Sequence, residues 1–315
     1  MNWRSDCGPA RPAADRIGRR SILASAAAGV VGGAFGRSAV AADLVVGFIY
    51  LGAKSDFGYN HSHALGAEQI AALPGVRVVE QEKVAETSAA ASAMEAMIVQ
   101  EGARLIFATS FGYFDPYAIE LAGRYRQVSF QHCGGVWDAD RHPANLGSYF
   151  VRMHEAQYLA GVVAGSVADQ IGFVASNRYP GVLRNINAFA LGAQQANPQA
   201  VVRVVFTGSW SDPVREAETV NVLADQGVQA VGCSVDSALT VVQTAAARGL
   251  PACGYNVSLA ELDFANYLVS AVSDWGPIVV PMAQQVMAGQ PLGNSYVGGF
   301  REGVVKRGQY GAAAG

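Results

Sequence analysis

DLVVGFIYLGAKSDFGYN, residues 43 to 60, passes directly from an unbroken apolar run into a loop of glycine, aromatics, Asp56 and Asn60. A continuous apolar run marks a strand buried on both faces, as in a parallel sheet covered by helices. Such runs recur along the chain. In the first half they fall at 43 to 50, 76 to 83, 104 to 110, 127 to 132 and 147 to 152, with helix-like segments at 61 to 73, 88 to 102 and 115 to 125 between them. This alternation is the signature of an α/β chain built from βαβ units.

The pattern restarts after HEAQYLAGVVAGSVA, residues 154 to 168, where Ala and Gly at helical spacing allow close packing against a sheet or a second lobe. Further strands are expected at 171 to 175, 200 to 206, 228 to 233, 250 to 255 and 267 to 273, with helices at 182 to 196, 213 to 226 and 237 to 248. Asp212-Pro213 and Asp115-Pro116 read as helix starts, with Asp as cap and Pro in the first turn. No low-complexity linker separates the halves beyond residue 42, so several short crossings are expected and not one tether. The expected division is lobe 1 at 42 to 150, lobe 2 at 151 to 252, a return to lobe 1 at 253 to 280, and a return to lobe 2 at 281 to 315.

Ahead of the first strand, Arg19-Arg20-Ser21-Ile22-Leu23 opens a small-residue apolar stretch of about 15 residues, and Ala39-Val40-Ala41 supplies a cleavage site. Residues 1 to 41 therefore read as a cleaved export signal of the twin-arginine type. The stretch is shorter than the roughly 20 residues a bilayer needs. Cys7 lies upstream of it, so cleavage exposes no cysteine for lipid attachment. A soluble periplasmic monomer is the expectation.

A net charge of −3 without a basic block excludes nucleic acid and anionic membrane as partners. Cys133, Cys233 and Cys253 sit in or at the ends of apolar runs without metal-ligand spacing, and read as buried thiols. A single disulfide is the alternative in an oxidising compartment. His61 and His63, two apart at a helix start, point to different faces, and read as solvated or cleft-lining side chains and not as a metal pair. No nucleophile elbow, C-x-x-C or phosphate-cradling loop is present, so neither an enzyme nor a cofactor is expected.

What stands out is the chemistry at strand ends, where open α/β sheets bind ligands. The loop 52 to 60, Thr109-Ser110-Phe111, Thr207-Gly208-Ser209-Trp210, Ser234-Val235-Asp236-Ser237, Gly254-Tyr255-Asn256 and Ser273-Asp274-Trp275 repeat one theme of aromatics beside short polar groups. Flat faces with carboxylates and amides suit a planar heteroaromatic ligand, stacking contributing roughly 1–3 kcal/mol per face and Asn or Asp bonding its edges. The bland reading of each aromatic taken singly is a core plug.

SDFGYN at 55 to 60, ATSFGYFDP at 108 to 116, YFVRMHEAQYLAGVVAG at 149 to 165, the run from Gly181 to Trp210, SDWGP at 273 to 277 and GGFREGVVKRGQYG at 298 to 311 together resemble the basic membrane protein family of ABC-transporter substrate-binding proteins. The resemblance implies a type I periplasmic binding fold, two parallel α/β lobes joined by three crossings, closing on a purine nucleoside or base and delivering it to an inner-membrane ABC permease. It implies ligand contacts at Asp56, Tyr59, Ser110 and Phe111 in the first lobe, Trp210 and Asp236 in the second, and Trp275 near a later crossing, to which the strand-end pattern adds Phe57, Asn60, Asn256 and Asp274. In that scheme Asp56 accepts from an exocyclic amine or ring N–H, and Tyr59 or Phe111 stacks opposite Trp210. Nucleoside-binding members carry Asp in a GVD sequence and a lysine after the next strand; this chain has Gly254-Tyr255-Asn256 and no lysine around Ser273-Asp274. The expectation is therefore a purine-type base over a full nucleoside. A ligand-sensing subunit for a signalling receptor is the alternative role. Related chains continue past the position of Gly315 into a final helix that GQYGAAAG does not offer.

Overall fold

The computed structural model describes residues 44 to 134 and 136 to 314; the export-signal reading of residues 1 to 41 lies outside them. The first of two sheets contains β1 (Leu44–Ile49), β2 (Val76–Gln81), β3 (Leu105–Ala108), β4 (Ser129–Cys133) and β5 (Leu146–Val151). The second contains β6 (Gln170–Ala175), β7 (Val201–Phe206), β8 (Ala230–Ser234), β9 (Ala252–Asn256) and β10 (Tyr267–Ser273). Each gains one strand late in the chain, β11 (Ser295–Gly298) and β12 (Val305–Arg307) respectively. The orders are β11-β5-β4-β3-β1-β2 and β12-β10-β9-β8-β6-β7, parallel throughout except for β12 against β10. The unbroken apolar runs are explained by this arrangement, since Val46, Phe48, Leu105, Phe107, Ile171 and Phe173 are all buried between helical layers.

Helices α1 (Tyr59–Ala71), α2 (Ser88–Val99) and α3 (Ile119–Arg124) cover the first sheet; α4 (His154–Val167), α5 (Pro180–Ala196), α6 (Pro213–Asp225) and α7 (Ala238–Ala247) cover the second. An eighth, α8 (Gly276–Met287), returns to the first sheet and buries Ile278, Val279 and Ala283 with Leu44, Phe48 and Ile70. The chain thus crosses between lobes three times, at residues 152 to 153, 274 to 275 and 299 to 304. The return expected at 253 to 280 is corrected: β9 and β10 both stay in the second sheet, and the first lobe regains the chain only from Gly276 to Gly298. The crossings are bonded to one another, Arg152 N donating to Gly298 O at 2.7 Å and Asp274 N to Val304 O at 2.9 Å.

Two local readings also change. Asp212 does cap α6, accepting from Arg215 N at 3.1 Å, but Asp115 sits in extended backbone and regular helix begins only at Ile119. The alanines of α4 pack on the second sheet, Ala160 and Ala164 against Phe173 and Val269, while its glycines serve a neighbouring helix. Gly161 and Gly165 face Phe189 and Ala193 of α5, and Gly192 faces Tyr158, so closely that an added Cβ would overlap backbone carbonyls. Among the described residues no helix is long and apolar enough to cross a membrane.

Because backbone, not a flexible side chain, opposes Gly161, Gly161→Ala should destabilise the protein by about 1–3 kcal/mol. Urea unfolding monitored by circular dichroism measures this; an unchanged midpoint would mean that α4 and α5 can separate without cost.

Candidate ligand site

All the strands but the antiparallel β12 point their carboxyl ends toward the cleft between the sheets, and a cavity of about 90 Å³ lies there. One water needs only roughly 10–15 Å³, so the space suits a small organic molecule. Tyr59, Ser110, Phe111 and Trp275 line it from the first lobe, and Trp210, Asp236 and Asn256 from the second. These seven of the eleven sequence-derived positions come together. Trp275 forms the floor: it is 1% exposed, stacks on His63 at 4.1 Å and donates from Nε1 to Ser62 Oγ at 2.9 Å.

The other four stand elsewhere. The Asp56 carboxylate accepts from Gly58 N (2.8 Å), Asn60 N (3.2 Å), Asn60 Nδ2 (2.7 Å) and His61 N (2.9 Å). It satisfies the free N–H groups at the start of α1 and is spent on backbone, which corrects its reading as a recogniser of ligand amines. Asn60 is buried and braces the same loop, its Oδ1 accepting from Gly52 N at 3.2 Å. Phe57 stacks on His61 at 5.1 Å and faces a separate groove between α1 and the second lobe. Asp274 lies at a crossing, paired with Lys306 at 2.6 Å and accepting from Gly276 N at 3.1 Å. His63, expected to be solvated or cleft-lining, is buried among Tyr59, Tyr149 and Trp275.

Residues not singled out from the sequence complete the walls. Tyr179, at the start of α5, packs on Phe111 at 4.7 Å and on Trp210 at 6.1 Å, and its hydroxyl donates across the cleft to Gly134 O at 3.2 Å. It follows the end of β6, so the strand-end rule applied one strand further would have found it. Asn185 lies inside α5, where that rule does not reach. Its Nδ2 donates to Ser234 Oγ (3.2 Å) and Tyr255 Oη (2.9 Å), leaving both hydroxyl protons free for other acceptors. Phe150 and Val182 add apolar wall, while Arg184 and His154 stand at the side of the second lobe.

The lobes are closed on one another. Gly58 lies directly over the Asp236 carbonyl oxygen, and a Cβ at Gly58 would overlap it. Closure also gathers carboxylates. Burial first, then the negative charges of Asp56, Glu216 and Glu86, pushes the Asp236 carboxyl well up from its usual range. Burial likewise raises Glu216 to about 7. The histidines move the other way: burial lowers His132 to about 4 and His63 to about 3, although backbone carbonyls of Ser110 and Phe111 at His132, and of Tyr59 at His63, partly oppose it. Cys133, at the cavity wall, is pushed up to about 12 by burial, so its thiol stays protonated. All three cysteines of the described chain are free and buried. Among the described residues no three His, Cys, Asp or Glu side chains group to hold a metal ion.

Two α/β lobes, three short crossings and a cavity between facing strand ends define a two-lobed solute-binding protein. The chain belongs to the family of PnrA-like ABC transporter substrate-binding proteins, whose pattern it matches over residues 44–309. It is 34% identical over 289 residues to a purine-binding protein of Brucella abortus, covering 90% of this chain and 80% of that one. It is also 36% identical over 203 residues to a candidate ABC transporter glucose-binding protein of Haloferax volcanii, covering 64% of this chain and 50% of the relative. Among solved structures, a solute-binding protein of an ABC transporter from Conexibacter woesei superposes with a TM-score of 0.68 at 25% identity, covering 85% of this chain and 89% of that one. A second, from Aeropyrum pernix, gives 0.75 at 23% identity, with 84% and 76% covered.

The shifted groups give opposite pH signatures. His132 takes a proton in the unfolded chain near pH 6.5 but resists it when folded until about 4, so it withdraws stability as pH falls through that window. His132→Gln is not subject to this, and its deficit relative to wild type should shrink by about 2 kcal/mol between pH 7 and pH 5. Glu216 binds a proton more readily folded than unfolded, so wild type gains over Glu216→Gln as pH falls below 7. Denaturant midpoints at both pH values decide; parallel shifts in the two variants would contradict the assigned environments.

Proposed function

We propose that this protein is the periplasmic solute receptor of an ABC importer, and that its ligand is a purine base or a closely similar flat heterocycle. The observation that carries the reading is the placing of aromatic walls on both sides of one cavity, Tyr59, Phe111 and Phe150 from the first lobe and Tyr179, Trp210 and Tyr255 from the second. A ring held between such walls gains roughly 1–3 kcal/mol per stacked face. Contacts to both lobes favour the closed form, because a ligand touching one lobe alone has no differential affinity for it. The closed form is what the inner-membrane permease receives. The Brucella relative is named for purine binding, which agrees with this geometry.

A base is favoured over a nucleoside by the composition of the walls. None of the lining residues is a lysine, and Tyr255-Asn256 stands where nucleoside binders are expected to carry an aspartate. The one lining thiol, Cys133, is held protonated and offers no thiolate nucleophile. Export by the segment ending at Ala41 brings the receptor to its ligand.

Thermal-shift measurements on the chain from Ala42 onward, against purine bases, nucleosides, pyrimidines, glucose and amino acids, test this. Bases should raise the melting temperature and nucleosides should not; a rise with nucleosides or glucose alone would replace the reading. Trp210→Ala should weaken base binding at least tenfold while leaving the melting temperature of the unliganded protein nearly unchanged.

Closure has its own test. Gly58→Val places a side chain against the Asp236 carbonyl, so small-angle scattering should show that saturating base contracts the wild type but not the variant. Equal contraction would mean that Gly58 does not mark the closed contact.

A further inference from the structure

Two polar groups in the cavity have no protein partner. Among the described residues none donates to the Asp236 carboxyl, although the residue is only 8% exposed. Asn256 is 2% exposed, and its Nδ2 is likewise unpaired. Ser273 Oγ donates to its Oδ1 at 3.2 Å, which leaves the N–H side free. Buried polar groups without partners are costly and rare. Asn256 Nδ2 is such a group, and the Asp236 carboxyl, which lines the same cavity, accepts from no side chain or backbone N–H among the described residues, so a ligand there can meet both.

They are also neighbours in the fold. β8 and β9 are adjacent parallel strands in which Val231 pairs with Ala252. Carrying that register forward sets Asn256 beside Val235, one residue before Asp236. Asn256 adopts a left-handed backbone, φ 66°, a conformation that Asn tolerates better than most residues. The residue lines both the cavity and the groove beside α1. Around Asp236 the charges are all negative, Asp56 from the first lobe and Glu86 and Glu216 nearby. In either protonation state the carboxyl keeps an oxygen that can accept an N–H directed at it.

We propose that Asp236 and Asn256 together read one edge of the ligand ring, Asp236 accepting an N–H and Asn256 donating to the lone pair beside it. This rests on the reading of the ligand as a flat heterocycle, and it narrows that class to rings with an amidine or lactam edge, in which a donor and an acceptor sit side by side. Aminopurines and oxopurines have such an edge. Sugars and fully N-alkylated rings do not. Asp236 thereby takes the role that the sequence assigns to Asp56, whose lone pairs are committed to the start of α1.

Isothermal titration with adenine and hypoxanthine, and with N6,N6-dimethyladenine and 1-methylhypoxanthine as blocked analogues, tests the pairing. Wild type should bind at least one parent base and lose at least tenfold on its methylated analogue. Asp236→Leu, similar in size but without an acceptor, should cost the parent base at least tenfold and change the analogue by less than threefold. Asp236→Asn, which keeps an acceptor, should recover part of the loss and serves if the Leu variant does not fold. Asn256→Gly, compatible with the left-handed backbone, should weaken parent bases by a similar factor. Equal losses for parent and analogue, or unchanged affinity in both the Asp236→Asn and Asn256→Gly variants, would overturn the assignment. Failure of wild type to bind either base would be seen before any variant is made, and would remove the purine reading together with this one.

Discussion

The closed cleft depends on one carboxylate whose lone pairs are spent on the protein's own N–H groups. Asp56 gathers the N–H groups of Gly58, Asn60 and His61 and the side chain of Asn60, converting a glycine-rich loop into a fixed surface at the start of α1. Only because that loop is fixed can Gly58 rest on the backbone of Asp236 in the opposite lobe. The same loop delivers Tyr59 to the cavity wall, its hydroxyl donating to Thr109 O. Helix capping and ligand geometry are therefore a single constraint here. The arrangement has an electrostatic cost, since closing carries the charge of Asp56 toward Asp236 and Glu216. The Tyr179 to Gly134 bond across the cleft opposes that repulsion only in part, a neutral hydrogen bond contributing about 1 kcal/mol net.

Beside the cavity, which Met153 and Trp275 line, the crossings are tied into one hinge. Glu302 accepts from Gly299 N at 2.7 Å and pairs with Arg152 at 3.1 Å, Glu155 accepts from Phe300 N at 2.7 Å, and Lys306 pairs with Asp274 at 2.6 Å. Partly exposed ion pairs of this kind add little stability, roughly 0–1 kcal/mol each. Their effect is geometric. Three short segments bonded to one another allow rotation of the lobes while resisting shear, so opening exposes the cavity without changing the register of either sheet.

How much of this was legible in the sequence follows from the same physics. Strands buried on both faces write themselves as apolar runs, and the inner strands among β1 to β10 lie where such runs are found; the edge strands β2 and β7, with Arg77 and Arg203 inside them, have no buried residue and are marked only by their valines. The late strands are not legible in this way: β11 and β12 have four and three residues, sit at sheet edges and are largely exposed, so no apolar run announces them. α8 was also missed, although Gly276-Pro277 opens it with the same Pro-in-first-turn signal as α6. Its loss moved the boundary of the first-lobe return, since a helix was needed to carry the chain back. In the site, strand-end aromatics were readable, but a carboxylate beside aromatics looks the same whether it serves a ligand or a helix terminus. Asp56 and Asp236 differ only in where the nearest N–H groups lie, and that is a property of the fold.

The division of labour inside the cavity bears on how a receptor of this shape distinguishes ligands. Stacking is tolerant, because any flat ring presents a face to Tyr59, Phe111 and Trp210. A ring that stacks but offers no matching edge leaves Asp236 and Asn256 buried and unpaired once the lobes meet, and the cost of those two groups falls on the closed state alone. In the open state water reaches both, and the same ring loses nothing there. Discrimination is thus exerted at closure, not at first contact. A poorly matched heterocycle can occupy the open cleft, yet it shifts the equilibrium only by the difference between its stacking gain and the two unmet hydrogen bonds. Where the closed form is the one handed to the permease, as proposed, the edge pair decides which molecules are passed on even where the aromatic walls would hold many more.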